Sequence, residues 1–320
     1  MAKQVNNGKA FEYAIAKSYA DFLIENGLKV RLINDSAFNV AKINFDNSPA
    51  PEQRRFFAAA NATLETMVKI EPGLTTQQGE RDELLIRIAN DAEGIGGDVR
   101  DIIFCRKYTS WEIGISAKNN HEAVKHSRLS KDLDFGKSWV GVNCSSSYWD
   151  DVLPIFNYLS KLKDENPGMN WAQIDKKEEN VYLPLLDAFK KEVLFIYNNN
   201  LDIAGKLVSY LIGRHPFYKI IKNDTNNLVI VKAFNLDGYL NKTIAGIKPN
   251  AKTETIKLPK RIIEFDLMED SLTTLNMVLD GGWSISFRIH NAEKKVVPSL
   301  KFDINLTGNP PVLFTQHLFQ

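Results

Sequence analysis

The chain has 320 residues, enough for about two domains, and its 44% hydrophobic and 25% charged residues fit an ordinary globular protein. Its 40 Lys and Arg against 39 Asp and Glu leave a formal charge of +1, which counts against a uniformly basic nucleic-acid coat protein but not against a protein with a local positive surface. No stretch approaches the roughly 18 apolar residues of a membrane helix, Met1 to Gly8 lacks the apolar core of a signal peptide, and two cysteines, Cys105 and Cys144, are too few for a disulfide framework, so a cytoplasmic protein is expected.

In chain order, Phe11, Ile15, Tyr19, Phe22 and Leu23 recur at helical spacing between Lys9 and Asn26, and Gly27 supplies the stop. A short strand over Leu28 to Ile33 follows. Glu52 to Val68 and Gln77 to Asp91 read as two helices separated by Pro72-Gly73, a helical insertion at about 50–93. Gly94 to Gly97 breaks the chain. It lacks the Lys-Ser/Thr of a phosphate-binding loop and leads into a strand, which rejects that motif.

Val99 to Arg106 and Trp111 to Ala117, joined by the polar Lys107 to Ser110, read as a β-hairpin. A polar helix over Asn120 to Asp132 and a strand over Trp139 to Cys144 are expected next. From about Asp151 to Tyr210 the pattern is helical. After Phe217 it turns to short strands at Tyr218–Ile221, Leu228–Phe234, Ile262–Leu267, Trp283–His290 and Leu300–Asn305. The expectation is an α/β fold, a mixed sheet flanked by helices over 1–150, followed by a helical segment and a β-rich region over 151–320.

The hairpin carries the chemistry. If it turns near Tyr108, residues whose numbers sum to about 217 lie opposite one another, so Asp101 faces Ser116. Side chains alternate along a strand, which puts Glu112, Gly114, Ser116 and Lys118 on one face and the apolar Ile113, Ile115 and Ala117 on the other. Lys118 then sits about one strand-width from the Asp101 carboxylate. Phosphodiester hydrolysis uses that pair of groups: a divalent cation held by carboxylates activates water and binds the phosphate, and a second positive group offsets developing charge. Asp98 is the rival acid, placed by the same register near Asn119, just past the sheet's end.

Gly8-Lys9-Ala10-Phe11-Glu12, Gly97-Asp98-Val99-Arg100-Asp101 and Trp111-Glu112-Ile113-Gly114-Ile115-Ser116-Ala117-Lys118 together resemble the nuclease fold named for its Asp…(Asp/Glu)-x-Lys signature, PD-(D/E)xK. The continuation from Asn119 to Ser130, then Asp134-Phe135-Gly136-Lys137, is similar to the HaeIII family of type II restriction endonucleases. The likeness is strong over about 94–144 and fair at the first helix. It implies cleavage of duplex DNA within GGCC, Mg²⁺ as cofactor and a cognate DNA methyltransferase that protects the host genome. By position, Asp101 is similar to the signature's metal-binding aspartate, Lys118 to its lysine, and Glu12 to the glutamate an N-terminal helix contributes. Ser116 departs from the pattern, because it stands where the second acid is expected. Glu12 and Glu122 are the candidates to replace that acid, with Asp132 behind them. Glu112 lies six residues from Lys118, nearly 20 Å at about 3.3 Å per residue, too far for one metal site.

His121 and His126 are five apart, which points them about 140° from each other on a helix and argues against zinc. They are read instead as phosphate donors with Lys125, Arg128, Lys131 and Lys137 on a helix following the catalytic strand, and Ser116, Asn119 and Asn120 are counted with them. The alternative for the cations is a solvated face. Base reading needs Arg or Lys for guanine and an acceptor for cytosine. The turn-rich run from Lys242 to Arg261, including Lys257, and Arg288 with His290 on a strand are the candidates. Two other functions stay open: a structure-specific repair or recombination nuclease of the same fold, and a DNA-binding protein that has lost catalysis, motivated by Ser116.

Overall fold

Ala10, Phe11, Ala14, Ile15, Tyr19 and Leu23 are each no more than 1% exposed, so the first helix is enclosed on several sides at once. The computed structural model describes residues 2–90, 98–120 and 124–319. The helix, α1, spans Ala2–Glu25 and ends at Gly27, whose φ of +78° suits a residue without Cβ. Then come β1 (Val30–Leu32), α2 (Ser36–Asp46) and α3 (Ala50–Ile70). Asp35 caps α2 by accepting from Phe38 N at 3.0 Å. β2 (Leu84–Ile88), β3 (Ile102–Arg106), β4 (Trp111–Asn119) and β5 (Arg128–Ser130) follow.

The helices α4 (Phe135–Val140), α5 (Ser146–Glu165), α6 (Leu183–Asn199) and α7 (Ile203–Ile212) come next. The chain ends in β6 (Phe217–Asn223), β7 (Leu228–Phe234), β8 (Ile262–Leu267), β9 (Thr274–Leu279), β10 (Ser284–Asn291), β11 (Ser299–Gly308) and β12 (Thr315–Phe319).

The chain forms two compact units, residues 1–122 with 213–256 and 312–320, and residues 123–212 with 257–311. They interleave along the chain, whereas the sequence texture suggests one boundary near residue 150. The first unit holds a seven-stranded mixed sheet in the order β1-β2-β3-β4-β6-β7-β12, parallel at β1–β2 and β4–β6 and antiparallel elsewhere. α1, α2 and α3 share its core, where Phe11 meets Phe56 and Tyr19 meets Phe104. The second unit holds an antiparallel five-stranded sheet, β5-β11-β10-β9-β8. One face buries Phe265, Phe287 and Phe302 around Phe189 of α6, with ring centroids 4.9 to 6.0 Å from it. The mixed α/β architecture agrees with the expectation.

Three expected elements take another form, and α2, β9 and β12 are not among those expected. The segment expected as a helix over 77–91 contains β2 instead, because Leu84-Leu85-Ile86-Arg87-Ile88 is a continuous apolar run paired on both sides, a pattern that periodicity alone does not separate from a buried helix. The strand expected over 139–144 is instead the last residues of α4 and the irregular segment after it, the helix being marked by Asp134 accepting from Lys137 N at 2.9 Å and by Gly141 at φ +79°. The helix expected over 120–132 is replaced by β5, which pairs with β11 about 170 residues later, so no local signal reports it. Residues 121–123 of that segment, and the glycine run 94–97, lie outside the described residues.

Arg106, at the end of β3, is fully buried. Its guanidinium donates to the carbonyls of Gly73 at 2.7 Å, Leu74 at 3.0 Å and Asp82 at 3.2 Å, and pairs with the Asp82 carboxylate at 3.4 Å. Arg106→Met leaves that carboxylate buried without its partner and should lower stability by about 3 kcal/mol or more, read as a fall in the urea midpoint. An unchanged midpoint contradicts this role.

Candidate active site

The β3–β4 hairpin sets the site. A single 3₁₀ turn over Lys107–Thr109, closed by Ser110 at φ +52°, joins strands paired Ile102↔Ile115, Ile103↔Gly114 and Phe104↔Ile113. Each of those pairs sums to 217, as the sequence suggests. Asp101 lies one step further, and its N–H donates to Ile115 O at 2.8 Å. Beyond the last strand pair its carboxylate continues the ladder. Oδ2 accepts from Ala117 N at 2.7 Å, Ser116 Oγ at 3.2 Å and Lys118 Nζ at 3.3 Å.

The Asp101 and Lys118 side chains are 24% and 19% exposed, so the pair is open to an incoming group. No described residue hydrogen-bonds to Oδ1 of Asp101. Ser116 is 1% exposed with its hydroxyl on Asp101. The residue at the missing acid's position thus orients the acid that is present, rather than facing outward to DNA. Gly114 lies under the Arg100 side chain, whose Cδ stands 2.2 Å from where a Cβ would be, so a larger residue there collides with it.

Glu12, on α1, lies near enough to feel the charge of the same carboxylate. It sits near the middle of the helix rather than in its first turn, and it is 6% exposed. Lys9, three residues earlier, pairs with it at 3.0 Å. Burial pushes the Glu12 carboxyl up to about 8, and the negative charge of Asp101 adds to that, while Lys9 and Lys118 pull it back. A buried acid whose ionisation is opposed by a neighbouring carboxylate is the electrostatic setting that a cation relieves.

These residues fit a hard divalent ion. Asp101 keeps Oδ1 unengaged among the described residues, Glu12 is a buried oxygen donor, and Mg²⁺ is typically held by one or two protein carboxylates with waters and phosphate completing its shell. Among the described residues no group of three or more His, Cys, Asp or Glu side chains gathers as a metal site. Glu122 and His121, expected here, lie outside the described residues. Asp132 is exposed in the turn after β5.

The rival acid is engaged elsewhere. Asp98 takes Arg100 Nε at 2.8 Å and NH2 at 2.7 Å, and Arg100 NH1 also holds Glu112 at 2.7 Å. Burial works against the Asp98 charge, but Arg100 holds its carboxyl below the usual range. Glu112, at the far end of β4, takes no part in the Asp101 cluster.

Past Lys118, Asn119 is buried and accepts from Lys222 Nζ at 3.3 Å, and Asn120 exchanges two hydrogen bonds with Asp224, at 2.7 and 2.8 Å. Lys222 is itself buried and pairs with Asp224 at 2.5 Å. These contacts tie the end of β4 to β6 and occupy both asparagines. Sequence reasoning missed Lys222, Asp224, Lys9 and the buried Lys219, which stands beside Ser116 in the β4–β6 register. For Lys9 the signal was present, an i,i+3 pair with Glu12. The β6 residues depend on a strand crossover that no local pattern announces.

The remaining expected cations belong to the second unit. Lys125 Nζ donates to Tyr210 O at 3.1 Å and lies over its ring, so it is turned inward. Arg128 is exposed on β5, Lys131 in the following turn and Lys137 on α4, and among the described residues no helix carries the first two. Lys257 and Arg261 are exposed ahead of β8, with Arg261 N donating to Asp280 at 2.9 Å. Arg288 and His126 meet at Asp303.

Among known proteins, the model of the HaeIII restriction endonuclease family matches residues 8–310. The chain belongs to the HaeIII restriction endonuclease family. It is 36% identical over 312 residues to the type II restriction enzyme HaeIII of Haemophilus aegyptius, covering 97% of this chain and 96% of that protein. No solved structure matches. Membership makes the chain a site-specific deoxyribonuclease acting on double-stranded DNA. It also answers the doubt raised by Ser116, since the chain departs from the general signature within a family of cutting enzymes.

The buried glutamate gives this restriction endonuclease a pH signature. A carboxyl at about 8 in the folded chain and 4.5 when free favours folding fully below pH 4.5 and loses that contribution as pH rises through 8. Glu71, raised to about 7 chiefly by burial, has the same sign. With chelator present, stability should fall by on the order of a few kcal/mol between pH 5 and pH 8, and Glu12→Gln should remove part of that fall. Urea midpoints at the two pH values measure it; equal slopes for both proteins contradict a buried Glu12.

Proposed function

We propose that Glu12, Asp101 and Lys118 form the centre that hydrolyses a phosphodiester bond in each strand of a short palindrome, GGCC, with Mg²⁺ as cofactor. The observation that carries this reading is the 3.3 Å contact of the Lys118 ammonium with the Asp101 carboxylate across the open end of the β3–β4 hairpin. Asp101 and Glu12 are the residues that would hold the ion. When bound it supplies a water of lowered pKa and positive charge at the scissile phosphate.

The chain's own groups do the rest. The hydrogen bonds from Ala117 N and Ser116 Oγ fix the Asp101 carboxylate, so that no reorganisation is needed when substrate arrives. Lys118 is held beside it by charge, where its ammonium would orient the attacking water for in-line attack. The same ammonium offsets the negative charge that builds on the phosphoryl oxygens in the transition state. Lys9 holds Glu12 in place and favours its ionised form.

A 5′-phosphate and a 3′-hydroxyl are the products of attack that expels the 3′ oxygen. An enzyme of this kind also calls for a cognate methyltransferase to protect the host's own sites, and for a cytoplasmic location beside the DNA. No helix among the described residues is long and apolar enough to cross a membrane.

Digestion of plasmid DNA with Mg²⁺, followed by sequencing of the ends, tests the proposal. Discrete fragments ending within GGCC are expected. A smear, or cutting confined to junctions, contradicts it. In the same assay Lys118→Ala should cut roughly a hundred- to a thousandfold more slowly with its fold intact; an unchanged rate removes Lys118 from the chemistry.

A further inference from the structure

The five-stranded sheet of the second unit has one face given over to the aromatic core and one to polar groups. Along β11 the even residues Leu300, Phe302 and Ile304 are buried, while Lys301, Asp303 and Asn305 alternate with them. The register places Arg288 of β10 between Asp303 and Thr274, and Ser286 between Asn305 and Asn276. Arg128 of β5 stands opposite Lys301. A continuous polar surface therefore runs across β5, β11, β10 and β9.

Its centre is Asp303. One carboxylate oxygen takes His126 Nδ1 at 2.9 Å and His290 Nε2 at 3.2 Å, and the other takes the Arg288 guanidinium. Asp303 is 17% exposed while Arg288 is 57% exposed, so the acid lies beneath and the guanidinium reaches outward from it. Beside this cluster the polar row continues through Asn276, which accepts from Ser284 Oγ at 3.2 Å and Thr307 Oγ1 at 3.4 Å. Cations that are held in place and amides with both donors and acceptors are the groups that read base edges in a groove.

Charge is distributed unevenly over the sheet. Arg128, Lys301 and Arg288 outweigh Asp303 on the β5–β11–β10 side, whereas the opposite edge strand β8 carries Glu264 and Asp266. A polyanion is drawn to the first side, while on the second Asp266 is paired with Lys190 at 2.8 Å and Glu264 adds a further negative charge.

We propose that this outward face, from Arg128 and Lys301 through the Asp303-held Arg288 to Asn305 and Asn276, binds duplex DNA, with Arg288 contacting a guanine and Arg128 and Lys301 contacting phosphates. The proposal rests on the endonuclease activity argued above and locates target recognition on a surface separate from the Asp101 cluster. Asp303 is a positioning residue: it orients Arg288 and touches no base.

The test is fluorescence anisotropy with the full chain, chelator present to prevent cutting, and two labelled duplexes, one with a central GGCC and one with that tetranucleotide scrambled. Arg288→Ala should weaken binding to the GGCC duplex between roughly five- and a hundredfold and leave the scrambled duplex nearly unaffected, narrowing the specificity ratio. Asp303→Asn should narrow it in the same direction. Arg128→Ala with Lys301→Ala should weaken both duplexes alike and reduce the slope of log affinity against log salt by about two. All four positions are polar and outward-facing, and urea midpoints confirm folding. If Arg288→Ala and the double variant both bind as the unaltered chain does, with the same salt slope, the surface is not the DNA contact. Discrete plasmid fragments from the unaltered chain alongside that result leave the endonuclease function standing; absence of discrete fragments overturns the function and this proposal together.

Discussion

One oxygen of Asp101 accepts from a main-chain N–H, a serine hydroxyl and a lysine ammonium, all from three consecutive residues of the next strand. Shifting the hairpin by a single residue would turn Ser116 and Lys118 to the opposite face and separate all three contacts. The register is therefore the constraint on which the site depends. It is held from both sides: by the apolar face of β4, where Ile113 and Ile115 are at most 1% exposed, and by the short turn closed at Ser110. At the other end of β4, Asn119 and Asn120 are fastened to Lys222 and Asp224, so the strand that carries Lys118 is fixed along its length.

Electrostatics complete what the register begins. Glu12 arrives from a helix buried in the same core, and its carboxyl is costly to ionise beside Asp101. Two lysines partly offset that cost. Fold and chemistry are thus coupled through burial: the packing that encloses α1 also raises the Glu12 carboxyl to about 8.

Much of this was legible in residue order. The alternation of Trp111 to Lys118 and a polar turn at Lys107 to Ser110 specify a hairpin and its pairing sum, and from these the meeting of Asp101 with Lys118 follows without any long-range information. β7 was readable as an apolar run bounded by turn residues, and β8 from the alternation of Ile263, Phe265 and Leu267 with Glu264 and Asp266. The misread elements share a different cause. β2 gains its identity from flanking strands, and β5 from a partner some 170 residues away; local periodicity contains neither partner. α4 shows the opposite case, since Asp134 and Gly141 bracket it as caps and outweigh the β-like Trp139-Val140. Glu12 was located on the correct helix, but its depth in the core depends on how α2 and α3 close over α1, and that lies beyond any helical wheel.

The central claim is that the hairpin acid and the helix glutamate form a divalent-ion centre. Titration of Mn²⁺ into the full chain, followed by electron paramagnetic resonance of the free ion, tests it most directly. Asp101→Ala should weaken binding at the high-affinity site at least about tenfold, the order expected on losing a charged ligand, while Glu112→Gln, on the same strand, binds as the unaltered chain does. Unchanged Mn²⁺ affinity in Asp101→Ala, with DNA cutting retained, would contradict the account.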